Sequence, residues 1–201
     1  MEKGAIIWLN GVSSAGKSSL AAELQRQLPA PFYCIAQDVF TDLISPWHTG
    51  NHAEDEPFGL WHNSINAMYH TVGLYADLGL NVVVDDCIIA HPASYQDRLL
   101  RECAARLAGY PVLFVRVDCP LEELLRREKD RGDRDGTAAW QWDKLYPKEP
   151  YDLAVNTFTH TTGACAAAIV QALEKMEPPG AFAALVEELP SAQPVELEGA
   201  L

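Results

Sequence analysis

The chain has 201 residues, 48% of them hydrophobic, and a formal net charge of −13. That size and apolar fraction predict one compact domain with a full core. The acidic balance excludes nucleic acid and anionic membrane as main partners, because both reward clustered lysine and arginine; a small molecule is expected instead. The opening Met-Glu-Lys-Gly has no basic stretch ahead of an apolar one, and no apolar run approaches the ~18 residues of a membrane span. The reading is a cytoplasmic protein, with homo-oligomerisation left open. Cys34, Cys87, Cys103, Cys119 and Cys165 are scattered without C-x-x-C spacing, which predicts reduced thiols rather than zinc or disulfides.

In chain order, Ala5 to Leu9 read as a buried strand and Lys17 to Leu28 as an amphipathic helix. Between them, Gly11-Val-Ser-Ser-Ala-Gly-Lys-Ser18 satisfies G-x-x-x-x-G-K-[ST] at every fixed position. In that strand–loop–helix context the pattern predicts a nucleoside triphosphate site. Successive backbone N–H groups form a concavity, and the positive end of the helix dipole faces the phosphates. The expected nucleotide contacts are Gly11, Ser13, Ser14, Ala15, Gly16, Lys17, Ser18 and Ser19. Lys17 reaches the β- and γ-phosphates, and the Ser18 hydroxyl ligates Mg²⁺.

Phe32 to Ala36 form the next strand, taken to lie beside the phosphate-loop strand, and Asp38 follows its end. From there Asp38 can accept the proton of an attacking hydroxyl, or it can cap a helix over Val39 to Ile44. Residues 45–59, rich in Pro, Gly, His and acids, are a candidate covering loop that holds His48 and His52. A helix over 60–78 carries Trp61, His62, Asn63, Asn66, Tyr69 and His70. Those side chains line an acceptor pocket or fill core and surface, and the histidines show no metal-ligand spacing. After the strand Asn81 to Val84 come Asp85 and Asp86, the pattern of a carboxylate that holds Mg²⁺ at a strand end. Strand side chains alternate, so only one of the pair faces the site. The other contacts substrate or caps the next turn.

A helix over 92–108 and a strand over 112–117 lead to a helix over 120–131 and the basic run Arg126 to Arg134. Arg131 and Arg134 straddle a glycine and suit a lid near 127–137 that stabilises the transferring phosphoryl group. Arg126 and Lys129 suit a solvated helix end, and Arg127 is the next candidate for phosphate. A strand over 153–155 and a helix over 162–175 complete the rhythm. Five parallel strands with helices on both faces predict an α/β P-loop NTPase fold of the adenylate-kinase type, with ligands at the carboxyl ends of the strands. Residues 1–175 are the expected catalytic domain, and 176–201 an acidic, Pro-rich, mobile extension with a short helix near 181 to 189. That extension holds five acidic and no basic residues.

Taken together, Leu9-Asn-Gly-Val-Ser-Ser-Ala-Gly-Lys-Ser18, Asp38, Val82-Val-Val-Asp-Asp86, Arg131-Gly-Asp-Arg134 and Tyr151-Asp152 resemble the chloramphenicol phosphotransferase family from residue 5 to about 175. The resemblance implies an ATP- and Mg²⁺-dependent kinase of a small-molecule hydroxyl. In it Asp38 matches the general base, Lys17 and Ser18 the phosphate and metal contacts, and Arg131 and Arg134 the lid arginines. The chain departs from the family pattern between Val39 and Leu60. The alternatives are a nucleoside or nucleotide kinase, and a nucleotide-dependent switch; against a guanine switch, no Asn-Lys-x-Asp motif occurs.

Overall fold

Apolar runs become the strands, buried at the centre of the sheet and partly exposed at its two edges, and the periodic segments between them become the helices that cover both faces. A computed structural model of the chain describes residues 2–47, 57–89, 96–132, 136–145, 148, 150–177 and 180–188. In it the strands are β1 (Ile6–Asn10), β2 (Phe32–Ala36), β3 (Asn81–Asp86), β4 (Val112–Asp118) and β5 (Leu153–Asn156). All four pairings are parallel and the order is β2-β3-β1-β4-β5. The predicted five-stranded α/β sheet is therefore observed. The expectation that β2 adjoins β1 is corrected: β3 lies between them, because parallel strands joined by helical crossovers need not be spatial neighbours in sequence order.

The helices are α1 (Lys17–Gln27), α2 (Gln37–Thr41), α3 (Pro57–Asp77), α4 (Gln96–Leu107), α5 (Leu121–Arg131), α6 (Thr137–Trp142), α7 (Thr162–Glu174) and α8 (Ala181–Glu188). Helix α1 starts where Gly16 takes φ +90, a left-handed conformation that suits glycine, and buries Leu20, Ala21 and Leu24. Strand alternation splits the core in two. Ile7, Leu9, Val83 and Val115 pack with Leu20 and Leu24 of α1 and Ile169 of α7. Ile6, Trp8, Val84 and Phe114 pack with Tyr69 of α3, Leu100 of α4 and Phe182 of α8.

The helix expected near 181 to 189 is present, but it is not part of a mobile extension. Phe182 is fully buried, stacked on Trp8 with ring centroids 4.7 Å apart and set edge-on to Phe114 at 5.2 Å. Asp152 fixes the entry to this helix. Its two carboxylate oxygens accept hydrogen bonds from the Ala181 and Phe114 amides, each at 2.7 Å. Pro-rich composition suggested disorder, whereas one aromatic side chain large enough to fill the sheet face fastens the segment to the core. Residues 189–201 lie outside the described residues, as do 48–56 of the expected covering loop.

Candidate active site

The carboxyl ends of β1, β2 and β3 open into a cleft of about 760 Å³. The phosphate loop forms its floor. Ser14 adopts φ +63, uncommon for a residue with a side chain, and its buried hydroxyl oxygen has no hydrogen-bond partner. Such an orphaned donor at a glycine-flanked helix start suits an anionic oxygen. Lys17 is buried at the first turn of α1, donates from Nζ to the Val12 carbonyl at 3.2 Å and lies 3.7 Å from Asp85 Oδ1. The Ser18 hydroxyl donates to Asp85 Oδ2 at 2.7 Å. Gly16 and Ser19 also line the cleft, and Ala15 packs into the core beneath. Gly11 sits against the β4 backbone: a Cβ there would meet the Val117 carbonyl oxygen at 2.6 Å.

The register of β3 separates the two adjacent carboxylates. Asp85 pairs with Leu9 and shares the α1 face; Asp86 pairs with Asn10 and turns to the opposite face. There it is completely buried. Its Oδ2 accepts from the Tyr69 hydroxyl at 2.9 Å and from Trp8 Nε1 at 3.3 Å, while Oδ1 accepts from the Cys87 amide at 2.8 Å. Burial raises the Asp86 carboxyl to about 6, opposed by these hydrogen bonds. Burial also pushes the Cys87 thiol up to about 12, which disfavours the thiolate. Of the two aspartates expected at a metal, both line the cleft, and the one that touches Ser18 and Lys17 is Asp85; Asp86 also anchors the aromatic core.

Asp38 stands in the first turn of α2, exposed on the cleft wall. It is not the helix cap. Ala36 occupies that position without a side-chain cap bond, and the Asp38 backbone carbonyl accepts from the Asp42 amide at 2.8 Å. On the opposite wall, Arg127 and Arg131 come from successive turns of α5. Arg127 donates to the Ser14 carbonyl at 3.4 Å, to Thr157 Oγ1 at 3.0 Å and to the Thr157 carbonyl at 3.1 Å, and Glu123 holds its Nε at 2.7 Å. Thr157 Oγ1 in turn donates to the Ala15 carbonyl at 2.7 Å, tying the end of β5 to the loop. Arg126 ion-pairs with Glu123 and Asp130 on the surface, as expected of a helix end. Helix α5 ends at Gly132, φ +70, and Arg134 lies outside the described residues.

Sequence reasoning missed three contributors. Gln141 of α6 accepts the Ser13 amide on Oε1 at 2.6 Å, so an N–H assigned to phosphate has a protein partner. Thr157 follows β5 at the carboxyl edge of the sheet, a position that could have singled it out. Gln37 accepts the Cys87 amide at 3.1 Å. Of the helix residues read as pocket or core, Trp61 lines the cleft at 49% exposure and Tyr69 is core. His70 contacts Arg106. All five cysteines are free; four are buried, and Cys34 is exposed.

A parallel sheet in this order, with the phosphate loop at the end of its central strand and guanidinium groups on the facing wall, defines a P-loop kinase fold. The chain belongs to the chloramphenicol phosphotransferase-like family, whose profile matches residues 4–174. It is 29% identical over 154 residues to a Mycobacterium tuberculosis protein named provisionally as an O-phosphotransferase, a match that covers 67% of this chain and 66%, just under two thirds, of the relative's length. Among solved structures it resembles the APS kinase CysC of Mycobacterium tuberculosis in complex with AMPPNP and APS, with TM-score 0.62 and 21% identity over 87% of this chain and 99% of that one. The tunicamycin resistance protein of Deinococcus radiodurans gives TM-score 0.57 and 18% identity, covering 85% and 96%. Among the described residues, no helix is long and apolar enough to cross a membrane, and no group of three or more His, Cys, Asp or Glu is placed to hold a metal.

Proposed function

We propose that the protein transfers the γ-phosphoryl group of ATP to a hydroxyl of a small molecule, with chloramphenicol-like antibiotics among the candidate acceptors. The observation that carries this reading is the convergence of Lys17, the Ser18–Asp85 pair, Asp38 and the α5 arginines on one cleft. The triphosphate lies on the loop from Ser13 to Ser19, with the Ser14 hydroxyl and Lys17 Nζ on its oxygens. Ser18 and Asp85 offer two hard oxygen ligands at one place, which suits Mg²⁺, an ion that takes its remaining ligands from phosphate and water. A Mg²⁺ held there would neutralise charge on the phosphates.

The acceptor oxygen forms a bond to the γ-phosphorus as the bond to the β,γ-bridging oxygen breaks, and that oxygen leaves with the electron pair on ADP. The acceptor's proton passes to the Asp38 carboxylate, whose exposure lets it return to water. Arg131, joined by Arg134, stabilises the charge that develops on the equatorial oxygens. Arg127 holds the loop through Ser14 and Thr157, so its role is positioning. The test is acceptor-dependent ADP release across hydroxylated antibiotics, nucleosides and sugars, with mass detection of the product. A phosphorylated nucleoside in place of an antibiotic would move the protein to nucleoside kinases. ADP release that no acceptor alters would indicate a nucleotide switch.

A further inference from the structure

The cations that line the cleft among the described residues, Lys17, Arg127 and Arg131, stand on the nucleotide side together with Asp85 and Asp130, while Asp38, Asp42, Thr41 and Trp61 form the facing wall. The sequence makes that division more than local. From Arg26 to Arg98 the chain has no lysine or arginine between them. This stretch supplies β2, α2, α3 and β3, and the carboxylates it brings to the cleft among the described residues are Asp38, Asp42, Asp85 and Asp86, while its Asp77 pairs with Lys3. Of the nearest basic residues beyond it, Arg98 is paired with Glu102 and Arg106 with the Tyr69 carbonyl. Asp85 is engaged by Ser18 and Lys17, and Asp38 is assigned to the proton. Asp42 has neither duty, and its carboxylate makes no ion pair among the described residues. On the same cleft lining the Trp61 indole, 49% exposed, adds a large apolar surface.

We infer that the acceptor is a hydroxyl compound carrying an ammonium group and a flat apolar face, selected by Asp42 and Trp61; this rests on the phosphotransferase reading above. An acceptor bearing carboxylate, sulfate or phosphate would meet Asp38 and Asp42 with no cation among the described residues of that wall, which costs affinity twice, through repulsion and through unpaired desolvation. An ammonium gains an ion pair with Asp42 and a cation–π contact with the indole, and the Trp61 face stacks on a planar group. The basic half of the cleft stays committed to the triphosphate.

The experiment uses three alcohols on one scaffold, a carbon bearing benzyl, hydroxymethyl and a third group: phenylalaninol for ammonium, N-acetylphenylalaninol for neutral amide and 2-benzyl-3-hydroxypropanoate for carboxylate. Their binding to the AMPPNP-saturated protein is measured by calorimetry. The expected order is ammonium, amide, carboxylate, with about tenfold in Kd between the first and last. Asp42→Asn should shrink the gap between ammonium and amide to within about twofold, and Trp61→Ala should weaken both, the ammonium more than the amide. Equal binding of all three, tighter binding of the carboxylate, or binding of none overturns the inference. AMPPNP-induced thermal stabilisation of the wild type, abolished in Lys17→Ala, is the separate readout of the nucleotide site. If it persists while the charge order fails, only the acceptor class is wrong; if it is absent, the phosphotransferase reading itself is lost.

Discussion

Asp85 and Asp86 are neighbours in sequence and stand in regions with opposite duties. On the Asp85 side, the phosphate loop gathers polar groups that face an open cleft: Lys17, Ser18 and the unpartnered Ser14 hydroxyl. On the Asp86 side, Trp8 and Tyr69 donate to a fully buried carboxylate at the cleft's edge, and Phe182 packs against Trp8 and Phe114. The sheet's two-residue period assigns them. The same residue type becomes a partner of the loop's Ser18 and Lys17 or a core anchor according to the face it meets, so chemistry at a strand end cannot be read from residue type alone. If the comparison holds, changes on the first side remove activity and leave stability, and changes on the second do the reverse.

The largest effect is expected from Lys17→Ala, which should bring phosphoryl transfer to background in a steady-state assay while the melting temperature stays near that of the wild type. Wild-type turnover would remove the nucleotide-site assignment. Next, Asp38→Asn keeps the side-chain shape and cannot take the proton. It should retain AMPPNP binding and lose ~10² to 10⁴ in kcat, and a loss below about threefold would reassign Asp38 to acceptor positioning.

Arg131→Ala and Arg134→Ala should each lower kcat more than ATP affinity, with lysine rescuing only partly, because lysine restores the charge without the planar two-pronged geometry. If kcat is unchanged and only affinity falls, these arginines hold the ground state. On the aromatic side, Phe182→Ala should cost about 3–5 kcal/mol in denaturant unfolding, the usual cost of emptying a buried phenylalanine site. Its kcat at low temperature should stay close to wild type. A neutral effect on stability would detach α8 from the core described here.

The smallest effect concerns pH. Asp86 is raised to about 6 in the folded chain, from an ordinary 3.8, so the native state holds that proton more tightly than the unfolded one. The stability tied to protonated Asp86 is full below about pH 4 and is lost as the pH rises through about 6, at most about 3 kcal/mol in all. The melting temperature of wild type relative to Asp86→Asn should therefore fall between pH 4.5 and 7.5, whatever the absolute level of the variant. A flat difference would mean that Asp86 ionises as an ordinary carboxylate.

The nucleotide half was legible in sequence because its chemistry is local: a loop of eight residues carries the glycines, lysine and serine in fixed order, and all five strands announced themselves as apolar runs. The rest depended on tertiary pairing. That β3 separates β2 from β1 is a matter of crossover, and the choice between Asp85 and Asp86 is set by register against Leu9 and Asn10. The burial of Phe182 follows from a partner far away in sequence, Trp8. Gln141 reaches the loop from a six-residue helix that has no periodic signature. The cleft wall facing the arginines draws on α2 and α3, whose side chains carry no fixed motif, so only the charge pattern of the stretch could be read.

The central claim is direct transfer from ATP to an acceptor hydroxyl, and ATP labelled with ¹⁸O in its terminal phosphoryl oxygens tests it. Incubated with the wild-type protein, Mg²⁺ and the acceptor panel, the label should appear in a phosphorylated acceptor in one-to-one ratio with ADP, and should fail to do so with Lys17→Ala. Label recovered only as inorganic phosphate, at a rate no acceptor changes, would contradict the account.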